Sequence, residues 1–155
     1  MKTHKSYTVD EATKLMANYC AYQERCHYEV EKKLKELNMI PEAQEKIILF
    51  LMEHDFLNEE RFTKSFVKGK FSIKKWGRIK IIRELKLRKI SAYNIQSAVK
   101  EINEEEYLSC LKGMAEKKLP FIKATSDYNK KGKLANFLIS KGFESGLVYA
   151  VIRTL

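Results

Sequence analysis

LRKISAYNIQSAVKEI, residues 87–102, returns in altered form as ISKGFESGLVYAVIRTL, residues 139–155. With an offset of 53 residues, the two segments place apolar residues at the same four positions. The pairs are Ile90 with Phe143, Ile95 with Val148, Ala98 with Val151, and Val99 with Ile152. Their spacing is that of one face of a helix that follows a turn. The sequence therefore predicts an internal repeat.

A third copy precedes these two. An offset of 50 residues places Ile40 at the position of Ile90, and residues 48–49 at the position of 98–99. Leu34 fits the pattern only if one extra residue stands before Ile40. The three copies stay in phase, which indicates three units of roughly fifty residues.

The predicted fold is all-α, with three tandem three-helix repeats that form an elongated, curved molecule. We place the repeats at 1–57, 58–102 and 103–155. A unit of this size buries little apolar surface by itself, so neighbouring units must pack against each other. Only two prolines and six glycines interrupt the chain, which favours long helices with short joints.

Helix-capping signals occur where this plan requires helix starts. Thr8 and Glu11 form a capping box, and Pro41 suits a first helical turn. Further N-caps are predicted at Asn58, Ser91 and Asn103. The eighth helix is predicted over residues 130–141, with Gly142 as the glycine that follows its C-terminus.

The positive charge of the chain is concentrated in residues 64–89. This window holds eleven basic residues and one acid, Glu84, so it accounts for the whole formal net charge of +10. The remaining residues balance at zero. Concentrated positive charge attracts polyanions or acidic protein surfaces. The alternative is a solvated face that binds nothing.

The fifth predicted helix, WGRIKIIRELKLRKI at residues 76–90, is the centre of this charge. On a helical wheel Ile81, Ile82 and Leu85 share the core face, whereas Lys80 and Arg83 lie opposite. Reversing the charge of Lys80 and Arg83 is therefore expected to leave the fold intact. The candidate partner-binding and DNA-binding residues are Lys70, Lys74, Lys75, Trp76, Arg78, Lys80, Arg83, Lys86, Arg88 and Lys89.

Some of these residues have a second interpretation. Trp76 either contacts the partner or packs at the joint between two helices. Arg88 and Lys89 could serve only to complement the dipole at a helix C-terminus. The phenylalanines of this region are predicted to belong to the core: Phe62, Phe66 and Phe71.

Catalytic and metal-binding motifs are absent from the sequence. It contains no phosphate-binding glycine loop, no H-E-x-x-H and no G-x-S-x-G. Cys26 and His27 are adjacent and would point about 100° apart on a helix, so we expect neither a metal nor a cofactor. No apolar segment resembles a signal peptide or a transmembrane helix, and three cysteines suit a reducing compartment. We predict a cytoplasmic, monomeric protein without enzymatic activity.

Four segments of the chain resemble the RecX family of recombination regulators. They are RCHYEVEKKL (25–34), DFLNEERFTKSFVKGKF (55–71), KKWGRIKIIRELKLRKIS (74–91) and LISKGFESGLVYAVI (138–152). In the third segment, residues at five family positions match: Gly77, Arg78, Ile79, Glu84 and Leu85. The chain departs from the family at Asn38-Met39 and Arg88-Lys89, where a Lys-Gly pair is frequent. The resemblance implies tandem three-helix repeats that dock in the groove of the RecA–DNA filament and tune it without chemistry of their own.

The residues themselves leave two functions open. In the first, the protein is a regulator whose basic face meets acidic recombinase surface, DNA phosphates or both. In the second, it is a sequence-nonspecific DNA-binding module that uses the helix at 76–90. Lysine and aliphatic residues dominate this helix, which favours phosphate contacts over base reading. A weaker third option is an inhibitor of another nucleic-acid machine.

Overall fold

The structure, a computed structural model, describes residues 6–155, and this range is helical with no strand. It contains nine α-helices and a short 3-10 turn, Leu119–Phe121. The helices are α1 (Val9–Tyr22), α2 (His27–Glu36), α3 (Pro41–Glu53), α4 (Glu59–Ser72), α5 (Arg78–Leu87), α6 (Ala92–Val99), α7 (Glu104–Lys118), α8 (Asp127–Ser140) and α9 (Ser145–Ile152). None of these helices is long and apolar enough to cross a membrane. The all-α prediction is confirmed.

The helices form three successive units, each with its own apolar cluster. Helices α1–α3 surround the first cluster, α4–α6 the second and α7–α9 the third. The closest helix packing lies within a unit rather than between units, as expected for a tandem repeat. The predicted three-helix repeats are therefore confirmed. The exact repeat boundaries, at 1–57, 58–102 and 103–155, stay a prediction.

The second helix of every unit ends in the same turn. An amide donates a hydrogen bond to the carbonyl five residues earlier in each case, as in a Schellman motif. The bonds are Met39 to Leu34 at 3.0 Å, Ile90 to Leu85 at 3.2 Å, and Phe143 to Leu138 at 3.4 Å. The residue before each donor has a positive φ: 58° at Asn38, 57° at Lys89 and 97° at Gly142. The repeat is therefore present in the backbone hydrogen bonds as well as in the sequence.

This turn corrects the alignment of the first unit by one residue. Met39, not Ile40, stands at the position of Ile90, so the offset is 51 and no extra residue is required. Ile40 is the N-cap of α3 and is 63% exposed. The residue pair of the first unit that corresponds to Arg88-Lys89 is therefore 37–38 rather than 38–39. Two adjacent apolar residues fit the pattern equally well in sequence, and only the hydrogen bond distinguishes them.

The predicted helix starts are confirmed with two exceptions: α8, and α5, which begins at Arg78 rather than residue 76 because Gly77 is its N-cap. Thr8 and Glu11 form the reciprocal capping box, and Pro41 is the first residue of α3. The side-chain oxygen of each predicted N-cap accepts a hydrogen bond from the backbone amide three residues later. These N-caps are Asn58, Ser91 and Asn103. However, α8 begins at Asp127 rather than residue 130. Ser126 is its N-cap, because the Ser126 hydroxyl accepts a hydrogen bond from the amide of Asn129 at 3.1 Å.

Two of the three free cysteines are buried at the boundary between the first two units. Cys20 belongs to the first cluster and Cys26 to the second, although Cys26 precedes α2. Burial raises the pKa of the Cys20 thiol to about 11 and that of Cys26 to about 12. At neutral pH both thiols are therefore protonated and shielded, which makes them poor nucleophiles.

We predict that Ellman's reagent at pH 8 labels Cys20 and Cys26 only when the protein unfolds. Half-buried Cys110 should react first, because part of its side chain remains accessible. Mass spectrometry of labelled peptides with and without urea measures the order of reaction. Rapid labelling of all three thiols in the folded protein would contradict this arrangement.

Candidate functional site

The buried side of helix α5 is the one that the wheel predicts. Ile81 and Leu85 are fully buried in the second cluster, and Ile82 is partly buried against it. The opposite side exposes Ile79, Arg83, Lys86 and Leu87, which lie one and two helical turns apart. The exposed face of α5 is therefore both basic and apolar.

Five candidate cations are exposed to solvent, although the Lys89 ammonium also lies 5.6 Å from the centre of the Tyr28 ring. We call them the basic surface: Lys74, Lys75, Arg83, Lys86 and Lys89, all of them exposed. Within residues 6–155, the ion pairs of this region involve other basic residues, Lys64, Arg78 and Arg88. The basic surface thus carries positive charge that no carboxylate of its own fold neutralises at contact distance.

Trp76 lies partly buried against the second cluster, between α4 and α5. The Lys70 ammonium is 4.9 Å from the centre of its ring and the Lys80 ammonium is 4.5 Å from it. Both distances allow a cation–π interaction. The tryptophan therefore packs at a helix joint and holds two of the candidate lysines, which are themselves half-buried.

Lys80 consequently differs from the prediction that placed it on a free outer face. Its Cβ lies only 2.3 Å from the position that a Cβ on Gly142 would occupy, so its backbone is pressed against the third unit. Charge reversal there would disturb packing as well as charge. Lys86 replaces it as the surface position that can be changed without touching a junction.

Arg78 is the clearest correction among the candidate residues. Its guanidinium bonds both carboxylate oxygens of Glu104, at 3.0 and 2.9 Å, and lies 3.3 Å from Glu144. It also stacks 3.8 Å above the ring of Tyr107. Burial alone would lower the pKa of Arg78, but the bond to Glu104 and the attraction of Glu144 outweigh it and raise that pKa. Arg78 joins the second unit to the third and is not part of the basic surface.

Tyr107 completes this junction from the third unit. Its hydroxyl accepts a hydrogen bond from the backbone amide of Arg78 at 3.0 Å and donates one to the carboxylate of Glu144. Burial and the bond to Glu144 raise the pKa of the phenol. The first residue of α5 is thus capped by a side chain of the following unit.

The same capping occurs between the first two units. The amide of His27, the first residue of α2, donates to the carboxylate of Glu59 at 2.8 Å. Arg61 of the second unit bonds Glu24 at 2.7 Å and Asp55 at 2.9 Å. Both junctions therefore use a charged cluster at the start of a second helix, which indicates that the units stack in a repeated manner.

Backbone contact between two glycines closes the second junction. The amide of Gly77 donates to the carbonyl of Lys141 at 2.8 Å, and that of Ile79 donates to Gly142 at 2.9 Å. A Cβ on Gly77 would lie 2.3 Å from the carbonyl carbon of Gly142. No side chain larger than hydrogen fits there unless the two backbone segments move apart.

Arg88 has partners within its own unit. Its guanidinium bonds the carbonyl of Glu84 at 2.9 Å and the carboxylate at 3.2 Å, and lies 4.9 Å from the ring of Phe66. This geometry corresponds to the alternative in which Arg88 serves the C-terminal end of its own helix. Neighbouring Lys89 remains exposed.

Sequence reasoning missed the acidic partners of these arginines. Glu104 directly follows the predicted N-cap Asn103, and Glu144 lies within the repeated segment 139–155. Both lie far from Arg78 in the chain, and no local spacing relates them. Arg78 in segment 74–91 was the only sequence feature that indicated a charged contact, and it was equally consistent with a contact to a ligand.

Comparison with family models identifies this architecture. A model described as "RecX, second three-helix domain" matches residues 58–99, and one described as "RecX, third three-helix domain" matches residues 104–152. Together they cover more than half of the chain. The chain belongs to the RecX family.

Individual RecX proteins agree with this assignment. "Regulatory protein RecX" of Enterococcus faecalis is 26% identical over 151 residues, which are 97% of this chain and 57% of that protein. The Lactobacillus gasseri protein of the same name is 31% identical over 67% of this chain and 38% of its own length. That of Prosthecochloris aestuarii is 28% identical over 82% of both chains. The chain spans about half the length of the first two relatives.

Solved RecX structures share the fold. The crystal structure of RecX from Lactobacillus salivarius matches with a TM-score of 0.83 over 95% of this chain and 96% of that one. A second crystal structure of regulatory protein RecX gives 0.84 over 95% of this chain and 72% of that one. Sequence identity is 24% in both. The tandem helical architecture of the chain is therefore that of known RecX proteins.

Proposed function

We propose that this protein regulates the RecA recombinase by docking on the RecA–DNA filament through the basic surface of its middle unit. The observation that carries the proposal is the set of five exposed cations without a neighbouring carboxylate, in a chain of the RecX family. A filament groove offers phosphates and acidic side chains, and both complement this charge. The protein would act as a cytoplasmic monomer.

The mode of action is binding rather than chemistry. The relatives are named as regulatory proteins, and the charged clusters of Arg78 and Arg61 serve to join units. These junctions would hold the three units in a fixed relation, so that one molecule touches more than one filament protomer. The exposed apolar residues Ile79 and Leu87 beside the cations would add contact area that phosphate binding alone does not need.

The direct test adds the purified protein to RecA filaments formed on single-stranded DNA and follows ATP hydrolysis. A concentration-dependent change in the hydrolysis rate is expected at protein concentrations comparable to RecA. The basic protein lysozyme serves as a control for unspecific charge effects. An unchanged rate, together with no co-sedimentation with filaments, would overturn the proposal.

The second candidate is a sequence-nonspecific DNA-binding module based on the same surface. It is favoured by the predominance of lysine, which contacts phosphates without reading bases. This candidate and the first share residues but differ in whether RecA is needed.

We predict that the five cations give weak duplex binding with strong salt dependence. If each neutralises one phosphate, the slope of log affinity against log salt concentration is about −4 to −5. Fluorescence anisotropy with two unrelated duplexes measures the slope and the lack of sequence preference. Equal affinity at low and high salt would exclude phosphate binding by this surface.

A further inference from the structure

A groove in the third unit lies apart from the basic surface. It has a volume of about 900 Å³ and is bounded by the segment before α8, the first turns of α8 and the end of α9. Four basic residues line it, and no acidic residue is among the lining. They are Lys123, Lys131, Lys133 and Arg153. Within the described range 6–155, Lys131 pairs with Asp127 at 3.6 Å, and the other three have no carboxylate at contact distance.

Two tyrosines line the same groove from different helices. Tyr128 at the start of α8 is 86% exposed, and Tyr149 in α9 is 49% exposed. Neither ring belongs to the third cluster. Proteins bind a chain of stacked bases and phosphates with exposed aromatic rings that lie beside unpaired cations.

The lining of the groove includes an exposed glycine that packing does not require. Gly132 lies inside α8, where glycine costs about 1 kcal/mol relative to alanine. A Cβ added there would meet no atom within 4 Å. Close packing therefore does not explain the residue, whereas a bare backbone lets a ligand approach the helix.

The walls of the groove are fixed by hydrogen bonds. The ammonium of Lys133 donates to the carbonyl of Lys123 at 2.7 Å, which ties the segment before α8 to the helix. The side-chain amide of Asn129 donates to the hydroxyl of Thr125 at 3.4 Å. A groove that is already formed loses little conformational entropy when a ligand binds.

We infer that this groove binds single-stranded nucleic acid, with bases stacked on Tyr128 and Tyr149 and phosphates beside Lys123, Lys131 and Arg153. In a duplex the base faces are covered by their neighbours, so only an unpaired strand can offer them to both rings. An acidic peptide would satisfy the cations but not the two phenol rings. The inference goes beyond the proposed function because it concerns another unit and requires no recombinase.

The test uses the full chain with Lys74, Arg83 and Lys86 changed to glutamate, so that the basic surface does not mask the groove. Fluorescence anisotropy compares an oligothymidylate with an abasic oligonucleotide that has the same number of phosphates. The thymidylate is expected to bind at least about tenfold more tightly, because stacking requires bases. Equal binding of the two oligonucleotides would overturn the inference.

Variants then assign this difference to the groove. Tyr128→Ala with Tyr149→Ala should abolish the preference for thymidylate over the abasic strand. The matched control, Tyr22→Ala with Tyr93→Ala, removes two tyrosines that are 84% and 78% exposed in the other units and should keep the preference. If the control loses it equally, or if the groove variant retains it, the site is wrong.

A third variant leaves both tyrosines in place. Gly132→Leu should fold normally, since the added Cβ meets no neighbour, but it adds a bulky side chain to the lining of the groove. We expect it to weaken thymidylate binding while circular dichroism stays unchanged. Effective competition by polyglutamate but not by unlabelled oligothymidylate would identify an acidic protein as the occupant instead and overturn the inference. None of these results depends on RecA, so they leave the proposed function to its own test.

Discussion

Replacing Gly77 by alanine should lower the free energy of unfolding by about 3 kcal/mol, the upper end of the usual range for overpacking. The new Cβ would lie 2.3 Å from the carbonyl carbon of Gly142, so the second and third units must separate to admit it. Separation lengthens the bonds from Gly77 to Lys141 and from Ile79 to Gly142. The effect is steric, since the φ of −76° at Gly77 suits any residue.

The matched control has the opposite sign. Gly69 lies inside α4, and a Cβ there would meet nothing within 4 Å. Gly69→Ala should therefore raise the free energy of unfolding by about 1 kcal/mol, through helix propensity alone. Urea denaturation followed by helical circular dichroism measures both variants. Equal effects of the two substitutions would show that the glycine contact does not hold the units together.

Local features of the fold were predictable because short-range chemistry determines them. The capping box of Thr8 and Glu11 needs only residues three positions apart, and the core face of α5 follows from the spacing of Ile81 and Leu85. The repeat could be found because it preserves apolar positions. Its register in the first unit could not, since Met39 and Ile40 are both apolar and only a backbone bond separates their roles.

The candidate site was predictable as a charge density but not residue by residue. The sequence cannot tell an arginine that meets a ligand from one that meets Glu104 and Glu144 across a junction, as Arg78 does. The groove in the third unit stayed hidden for a related reason. Residues 117–133 hold six lysines and one acid, but residues 103–155 as a whole hold nine basic and six acidic residues, so a count over the unit shows a net charge of only +3. Folding separates those charges, because Glu104 turns toward Arg78.

The basic surface can be tested by reversing three of its charges. Lys74→Glu, Arg83→Glu and Lys86→Glu change exposed residues outside both junctions, and such changes usually alter stability by no more than about 0.5 kcal/mol each. The formal net charge falls from +10 to +4. If the surface docks on the filament, like charges would face each other there, and the concentration needed for half-maximal effect on RecA should rise at least about tenfold.

The control and the salt concentration decide what this loss means. Lys35→Glu, Lys46→Glu and Lys112→Glu remove the same charge from exposed positions in the first and third units, and should leave RecA regulation nearly unchanged. A docking surface predicts that the difference between the variants persists at moderate salt, where binding to free DNA is negligible, because protein contacts remain. A simple DNA tether predicts that regulation and DNA affinity fall together and disappear together as salt rises. Full regulation by the triple variant would mean that the cations of α5 and its flanking loops are a solvated face, and the partner of this protein would have to be sought on another unit.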